Sequence, residues 1–196
     1  MASQQRDRVW RPRAYRKPSD TTVGLLGLGA LGTAAAERLT GAGFRVVGWS
    51  RSPKAVPDLD TFHGADSLTA MLGRCDILVC LVPLTSETRG LVNAERLAAL
   101  KPGAALINFA RGPIVVTEDL IAALDTGHLA HTVLDVFAVE PLPTESPLWS
   151  HPRVTVLPHV SGPTDMDSAA ATVAANLRAY RRTGQVPDGV DAARGY

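Results

Sequence analysis

The sequence predicts an α/β fold, a doubly wound parallel sheet, and three observations carry that prediction. Short apolar runs alternate with helical patterns along the chain. The first run, residues 23–26, opens into Gly27-x-Gly29-x-x-Gly32 and an Ala-rich helical stretch over 30–39. Chemistry-bearing side chains recur just after later apolar runs, where ligands of open α/β sheets bind. Such alternation implies right-handed crossovers and parallel pairing, most simply in the strand order 3-2-1-4-5-6. At 196 residues, 45% hydrophobic and 20% charged, the chain has the size and composition of one globular domain. That domain is expected over 22–184, between a basic extension or linker remnant at 1–21 and a tail at 185–196.

Each element has its own signal. Gly27 permits a tight turn, Gly29 lets a pyrophosphate approach the backbone, and Gly32 lets helix and strand pack, with the helix N-terminus facing the anion. By itself this pattern fits an ordinary glycine turn equally well. Glycines at 41 and 43 close the helix and 44–49 (FRVVGW) reads as a second strand, completing a β-α-β unit. Ser50-Arg51-Ser52 follows, with no carboxylate for a ribose 2′-hydroxyl and one guanidinium able to grip a phosphate. NADP is therefore expected rather than NAD; the plainer alternative for Arg51 is a solvated loop cation.

Pro53 and Pro57 mark a loop, Asp66 or Ser67 can cap a short helix through Met71, and 76–82 (DILVCLV) reads as the third strand. Pro83 stops it at the carboxyl edge, where Thr85, Ser86 and Thr88 offer hydroxyls. A helix over 93–100 leads to a fourth strand, 104–110 (AALINFA), with Arg111 and Gly112 at its end. Thr117 can cap a helix over 118–125 that Gly127 closes, and a fifth strand, 131–137, brings Asp135 to the same edge. The proline-rich connection 140–149 carries Glu140, and a sixth strand, 153–158, delivers His159, Ser161 and Gly162. Thr164 opens a last helix that runs to Arg182 and ends at Gly184; its stripe of Met166, Ala170, Val173, Leu177 and Tyr180 has core spacing. No internal repeat is visible.

Composition excludes several classes. A net charge of +1 gives no footprint for nucleic acid or a membrane surface. Arg6, Arg8, Arg11, Arg13, Arg16 and Lys17 face only Asp7, but Pro12 and Pro18 interrupt any long amphipathic helix, so a solvated extension is expected over a transit peptide or phosphate-binding arm. No apolar run approaches the ~20 residues that span a bilayer, and no signal-peptide core appears. Cys75 and Cys80 have neither metal nor redox spacing, which suits small buried hydrophobes in a cytoplasmic protein without a metal site. A short-chain dehydrogenase needs Tyr-x-x-x-Lys, and neither Tyr15 nor Tyr180 has lysine four residues on. A methyltransferase prefers an acid where Ser50 and Arg51 stand.

Hydride transfer to a carbonyl creates an alkoxide and needs a proton donor that titrates near working pH, which suits His159. A carboxylate on the other ring nitrogen would fix the tautomer, and Glu140 is the candidate. Arg111 could hold a substrate carboxylate with its planar fork and polarise the adjacent carbonyl. Taken singly, these residues are also a loop histidine, a solvated acid and a surface cation.

Seven motifs carry a resemblance over 22–196: GLGALG (27–32), WSRS (49–52), LVPLTSETRG (81–90), INFARG (107–112), LDVFAVEPLPTESPLW (134–149), HPRVTVLPH (151–159) and GVDAARGY (189–196). Together they resemble the D-isomer-specific 2-hydroxyacid dehydrogenases, most closely the glyoxylate/hydroxypyruvate reductase A branch. The resemblance implies a Rossmann cofactor domain in which Arg111 binds and orients the 2-oxo acid, Glu140 pairs with His159, and His159 is the acid/base. Asp135 would sit against the nicotinamide carboxamide. Cofactor contacts are expected from Gly27, Gly29, Ala30, Leu31 and Gly32, from Trp49, Ser50, Arg51 and Ser52, from Val82, Pro83 and Thr88, and from Phe109 and Ala110. WSRS resembles the NADP-preferring members. The implied reaction is NADPH-dependent reduction of glyoxylate or hydroxypyruvate to the 2-hydroxy acid, in a homodimer built through the cofactor domain.

Family members carry, before the glycine motif, a substrate domain of about a hundred residues, the size of a small domain. Only residues 1–21 stand before Thr22 here, so that domain is expected to be largely absent. The alternative function is accordingly a non-catalytic NADP-binding module or truncated remnant. The last helix is then expected to expose an apolar face that packs on the missing part.

Overall fold

The computed structural model describes Gln4, residues 7–10 and residues 16–187. Its strands are β1 (Thr22–Leu26), β2 (Arg45–Ser50), β3 (Asp60–His63), β4 (Ile77–Cys80), β5 (Ala104–Asn108), β6 (Leu129–Leu134) and β7 (Val154–Val156). Its helices are α1 (Ala30–Gly41), α2 (Ala65–Leu72), α3 (Ala94–Ala98), α4 (Thr117–Asp125) and α5 (Met166–Thr183). All neighbouring strands pair in parallel, in the order β3-β2-β1-β4-β5-β6-β7.

Every residue of β1 is buried, as a strand covered on both faces requires. Side chains alternate: Val23 and Leu25 pack with Leu28 and Ala36 beneath α1, while Leu26 joins Leu78, Leu106 and Trp49 on the face covered by α2, α3 and α4. Truncating fully buried Leu25 to alanine removes about 2–5 kcal/mol of stability. The registers set Phe62, Trp49, Leu26, Cys80, Asn108, Leu134 and Val156 in one row across the sheet. Residues just beyond that row form the carboxyl edge, which is where Gly27, Ser50, Leu81, Phe109, Asp135 and His159 emerge.

The opposite edge is ionic. Asp76 accepts hydrogen bonds from Arg16 (2.7 Å), Lys101 (3.0 Å) and the Thr22 N–H (2.9 Å). Burial works against its charge, but these donors outweigh it and hold its carboxyl below the ordinary range. Cys75 and Cys80 are buried, and burial pushes both thiols up to about 12.

The structure departs from the sequence reading in three places. β3 lies where a loop is expected; with Phe62 as its one large apolar residue and β2 as its sole strand neighbour, it shows no apolar run. It shifts the count: the order 3-2-1-4-5-6 holds with β3 as third strand, whereas 76–82, counted third from sequence, is fourth and lies beside β1. Helix starts also differ. Gly64, at φ 74°, precedes α2, and the Ser67 hydroxyl donates to the His63 carbonyl (2.7 Å) instead of capping. Thr117 is the first residue of α4 rather than its cap, and Asp165, not Thr164, caps α5 by accepting from the Ser168 N–H (2.8 Å).

The third departure is the α5 stripe, which is not core. Met166, Val173, Leu177 and Tyr180 are 74%, 58%, 55% and 48% exposed. Among the described residues no strand or helix packs extensively along α5, and an exposed apolar face on this helix is what the resemblance implies. Arg6, Arg11 and Arg13 of the basic segment and the 189–196 motif lie outside the described residues.

Candidate functional site

The glycine turn is shaped by contact as well as by dihedrals. Gly27 sits at φ 115°, and a Cβ there would stand 2.8 Å from the Leu81 carbonyl carbon and the Val82 nitrogen. A Cβ on Gly32 would run into the Gly27 carbonyl oxygen, so the helix can approach the turn only because residue 32 is glycine, while Gly27 lets the turn approach the end of β4. At Gly29 a Cβ would meet nothing within 4 Å, which leaves open space beside the backbone. No side chain caps α1 at Gly29, so the first-turn N–H groups are available to an anion. The turn fits a dinucleotide pyrophosphate.

Two cavities flank this turn and share Gly29, Leu81, Val82 and Pro83. The first, of about 530 Å³, brings together Gly27, Trp49, Ser50, Arg51, Ser52 and Thr88 of the expected cofactor contacts. Trp49 donates through Nε1 to the Gly64 carbonyl (2.8 Å), fixing the end of β2. Arg51 Nη1 lies 2.7 Å from Glu87 Oε2. Thr88 lines the cavity while its hydroxyl donates to the Pro83 carbonyl (2.6 Å). Lys54, not singled out from sequence, lines the same cavity and donates to the Leu28 carbonyl.

The second cavity, of about 490 Å³, gathers Ala30, Leu31, Gly32, Phe109, Ala110 and Arg111. Arg111 is presented by a turn that buried Asn108 builds: its Nδ2 donates to the Arg111 carbonyl (3.0 Å) and its Oδ1 accepts from the Ala110 N–H (3.1 Å). Sequence reasoning missed Asn108. A lone amide ending an apolar strand was the available signal.

Asp135, Glu140 and His159 line neither cavity but form one cluster beyond β6 and β7. His159 Nδ1 is 2.7 Å from Glu140 Oε2, and Glu140 Oε1 accepts the Phe137 N–H (2.8 Å). The bond to His159, helped by the Phe137 N–H and the nearby Arg111 charge, holds the Glu140 carboxyl below its ordinary range. His159 stands at φ 55°, an uncommon setting for a residue with a Cβ. The next two residues explain how it persists: Asp135 accepts the Val160 N–H (2.7 Å) through one oxygen and the Ser161 N–H (3.0 Å) through the other. Burial disfavours the Asp135 charge, but these N–H donors outweigh it and the carboxyl lies below its ordinary value. Among the described residues, no group of three or more His, Cys, Asp or Glu could hold a metal ion. No described helix is long and apolar enough to cross a membrane.

A glycine turn at the switch point of a doubly wound sheet, with a carboxylate–imidazole pair farther along the same carboxyl edge, defines a dinucleotide-binding domain. The family model for "D-isomer specific 2-hydroxyacid dehydrogenase, NAD binding domain" matches residues 1–161, and the chain belongs to this family. It is 45% identical over 193 residues to glyoxylate/hydroxypyruvate reductase A of Serratia proteamaculans (strain 568), covering 98% of this chain and 61% of that protein. A D-isomer specific 2-hydroxyacid dehydrogenase of Xanthobacter autotrophicus Py2, solved with NADPH and MES, superposes with TM-score 0.95 at 47% identity, over 100% of this chain and 81% of that one. An NADPH-dependent glyoxylate/hydroxypyruvate reductase of Sinorhizobium meliloti, solved with NADP and sulfate, gives TM-score 0.93 at 38% identity, over 100% of this chain and 63% of that one. The chain thus spans about three-fifths of the curated relative it matches.

Proposed function

We propose that this chain binds NADPH and carries the acid/base machinery for reducing a small 2-oxo acid of the glyoxylate/hydroxypyruvate type. The observation that carries the reading is the 2.7 Å contact between Glu140 Oε2 and His159 Nδ1, at the same sheet edge as Arg111 and the glycine turn. With Nδ1 engaged, His159 Nε2 is the atom that gives its proton to the carbonyl oxygen. Glu140 fixes the orientation of the ring. Arg111 holds the substrate carboxylate and polarises the neighbouring carbonyl. A bound nicotinamide dinucleotide supplies the hydride.

Preference for NADPH over NADH is part of this reading. It is supported by Arg51 and Lys54 at the first cavity and by the lack of a carboxylate in Ser50-Arg51-Ser52. A homodimer through the cofactor domain and a cytoplasmic location are also proposed, on the family resemblance and on the cysteine usage respectively.

Steady-state oxidation of NADPH by glyoxylate or hydroxypyruvate is the expected result. A second reading, a non-catalytic NADP-binding module, is favoured by the 52% exposure of the His159 side chain, because solvent weakens electrostatic catalysis. NADPH binding without oxidation above background selects that module instead. Arg51→Ala is expected to weaken NADPH much more than NADH, and equal loss for both refutes its role at the 2′-phosphate.

A further inference from the structure

We propose that Glu87 is a specificity-determining residue that competes with the cofactor 2′-phosphate for Arg51 and so lowers the preference for NADPH over NADH. The proposal rests on the reading of Arg51 as the cation that receives the 2′-phosphate.

Arg51 Nη1 and Glu87 Oε2 stand 2.7 Å apart, and both side chains line the cavity beside the glycine turn. Glu87 is not carried on a loose loop. Its turn is cross-bonded: the Thr85 N–H donates to Thr88 Oγ1 (2.7 Å), the Thr88 hydroxyl donates to the Pro83 carbonyl (2.6 Å), and the Arg89 N–H donates to the Thr85 carbonyl (3.0 Å). The carboxylate is therefore presented to Arg51 from a fixed backbone.

A phosphate arriving at Arg51 either displaces Glu87 from Nη1 or shares the guanidinium with it. In either case a carboxylate stays close to a dianion, and like charges at that range repel. A cofactor with a 2′-hydroxyl meets neither penalty. Lys54, on the same cavity, adds positive charge that favours the phosphate, so Glu87 sets the size of the preference rather than its sign. The pair is partly exposed, at 39% for Arg51 and 62% for Glu87, which places the effect within the modest range of solvated ion pairs.

The test is direct binding of NADPH and NADH to the full chain at low salt, followed by fluorescence and independent of turnover. The wild type, Glu87→Gln, Arg51→Ala and the double variant are compared. Glu87→Gln is expected to tighten NADPH about two- to fivefold, the span of exposed ion pairs, and to leave NADH within the error of the measurement. In the Arg51→Ala background the gain is expected to shrink. An unchanged or weaker NADPH affinity in Glu87→Gln overturns the proposal, as does a gain of full size without Arg51. Equal loss of both cofactors in Arg51→Ala instead overturns the underlying 2′-phosphate assignment, so the two failures are distinct.

Discussion

Glu140 and His159 are joined by one 2.7 Å contact, and the second oxygen of the same carboxylate is held at 2.8 Å by the Phe137 N–H. A carboxylate fixed at both oxygens can orient an imidazole without following its motions. Glu140→Gln keeps the shape but removes the charge and can turn an amide N–H toward the ring nitrogen, so the imidazole loses the partner that orients it. Turnover should fall by about 10- to 100-fold while NADPH binding is kept. Turnover equal to the wild type removes Glu140 from the acid/base assignment.

Asp135 links stability to pH. Its folded carboxyl lies below the ordinary range despite burial, because the Val160 and Ser161 N–H groups favour the charged form. The unfolded chain therefore binds a proton first as pH falls. The contribution of Asp135 is complete above about pH 4 and is lost as pH drops through its lower folded value. Asp135→Asn should flatten the acid limb of stability measured by urea titration and cost about 1–3 kcal/mol at neutral pH, since one N–H is left facing an amide donor. Equal acid slopes for both proteins would contradict this.

The glycine turn separates folding from binding. Gly32→Ala drives a methyl into the Gly27 carbonyl and should lower the melting temperature, in line with an overpacking cost of about 1–3 kcal/mol. Gly29→Ala meets no atom and should melt as the wild type does, yet bind NADPH more weakly because the methyl occupies the space beside the backbone. If both variants lose stability alike, the turn is governed by something other than these contacts.

The exposed α5 stripe gives a contrast with the core. Leu177→Ala should change unfolding free energy by less than about 0.5 kcal/mol, whereas Leu25→Ala should cost about 2–5 kcal/mol. Chemical denaturation of the two variants side by side checks this. A core-sized loss for Leu177→Ala means that its face is covered in solution.

The sheet was legible where apolar runs are covered on both faces, as in β1, β4 and β5, and where glycine ends a helix, as at Gly184 with φ 68°. β3 was not, because a half-exposed edge strand needs little apolar content. The α5 stripe misled for the converse reason: spacing reports which side of a helix is apolar, not whether anything lies against it. At the site, Arg111, Glu140 and His159 could be named from their places after strands. Lys54 and Glu87 could not, because each meets the cavity through a loop whose path only the folded chain defines.

Asp135 grips the two residues that follow His159, and only residues 162–165 separate that grip from α5. One buried carboxylate thus anchors the backbone between His159 and the exposed helix. The left-handed backbone at His159 and the attachment of α5 share a single fastening, and that fastening is itself out of reach of solvent.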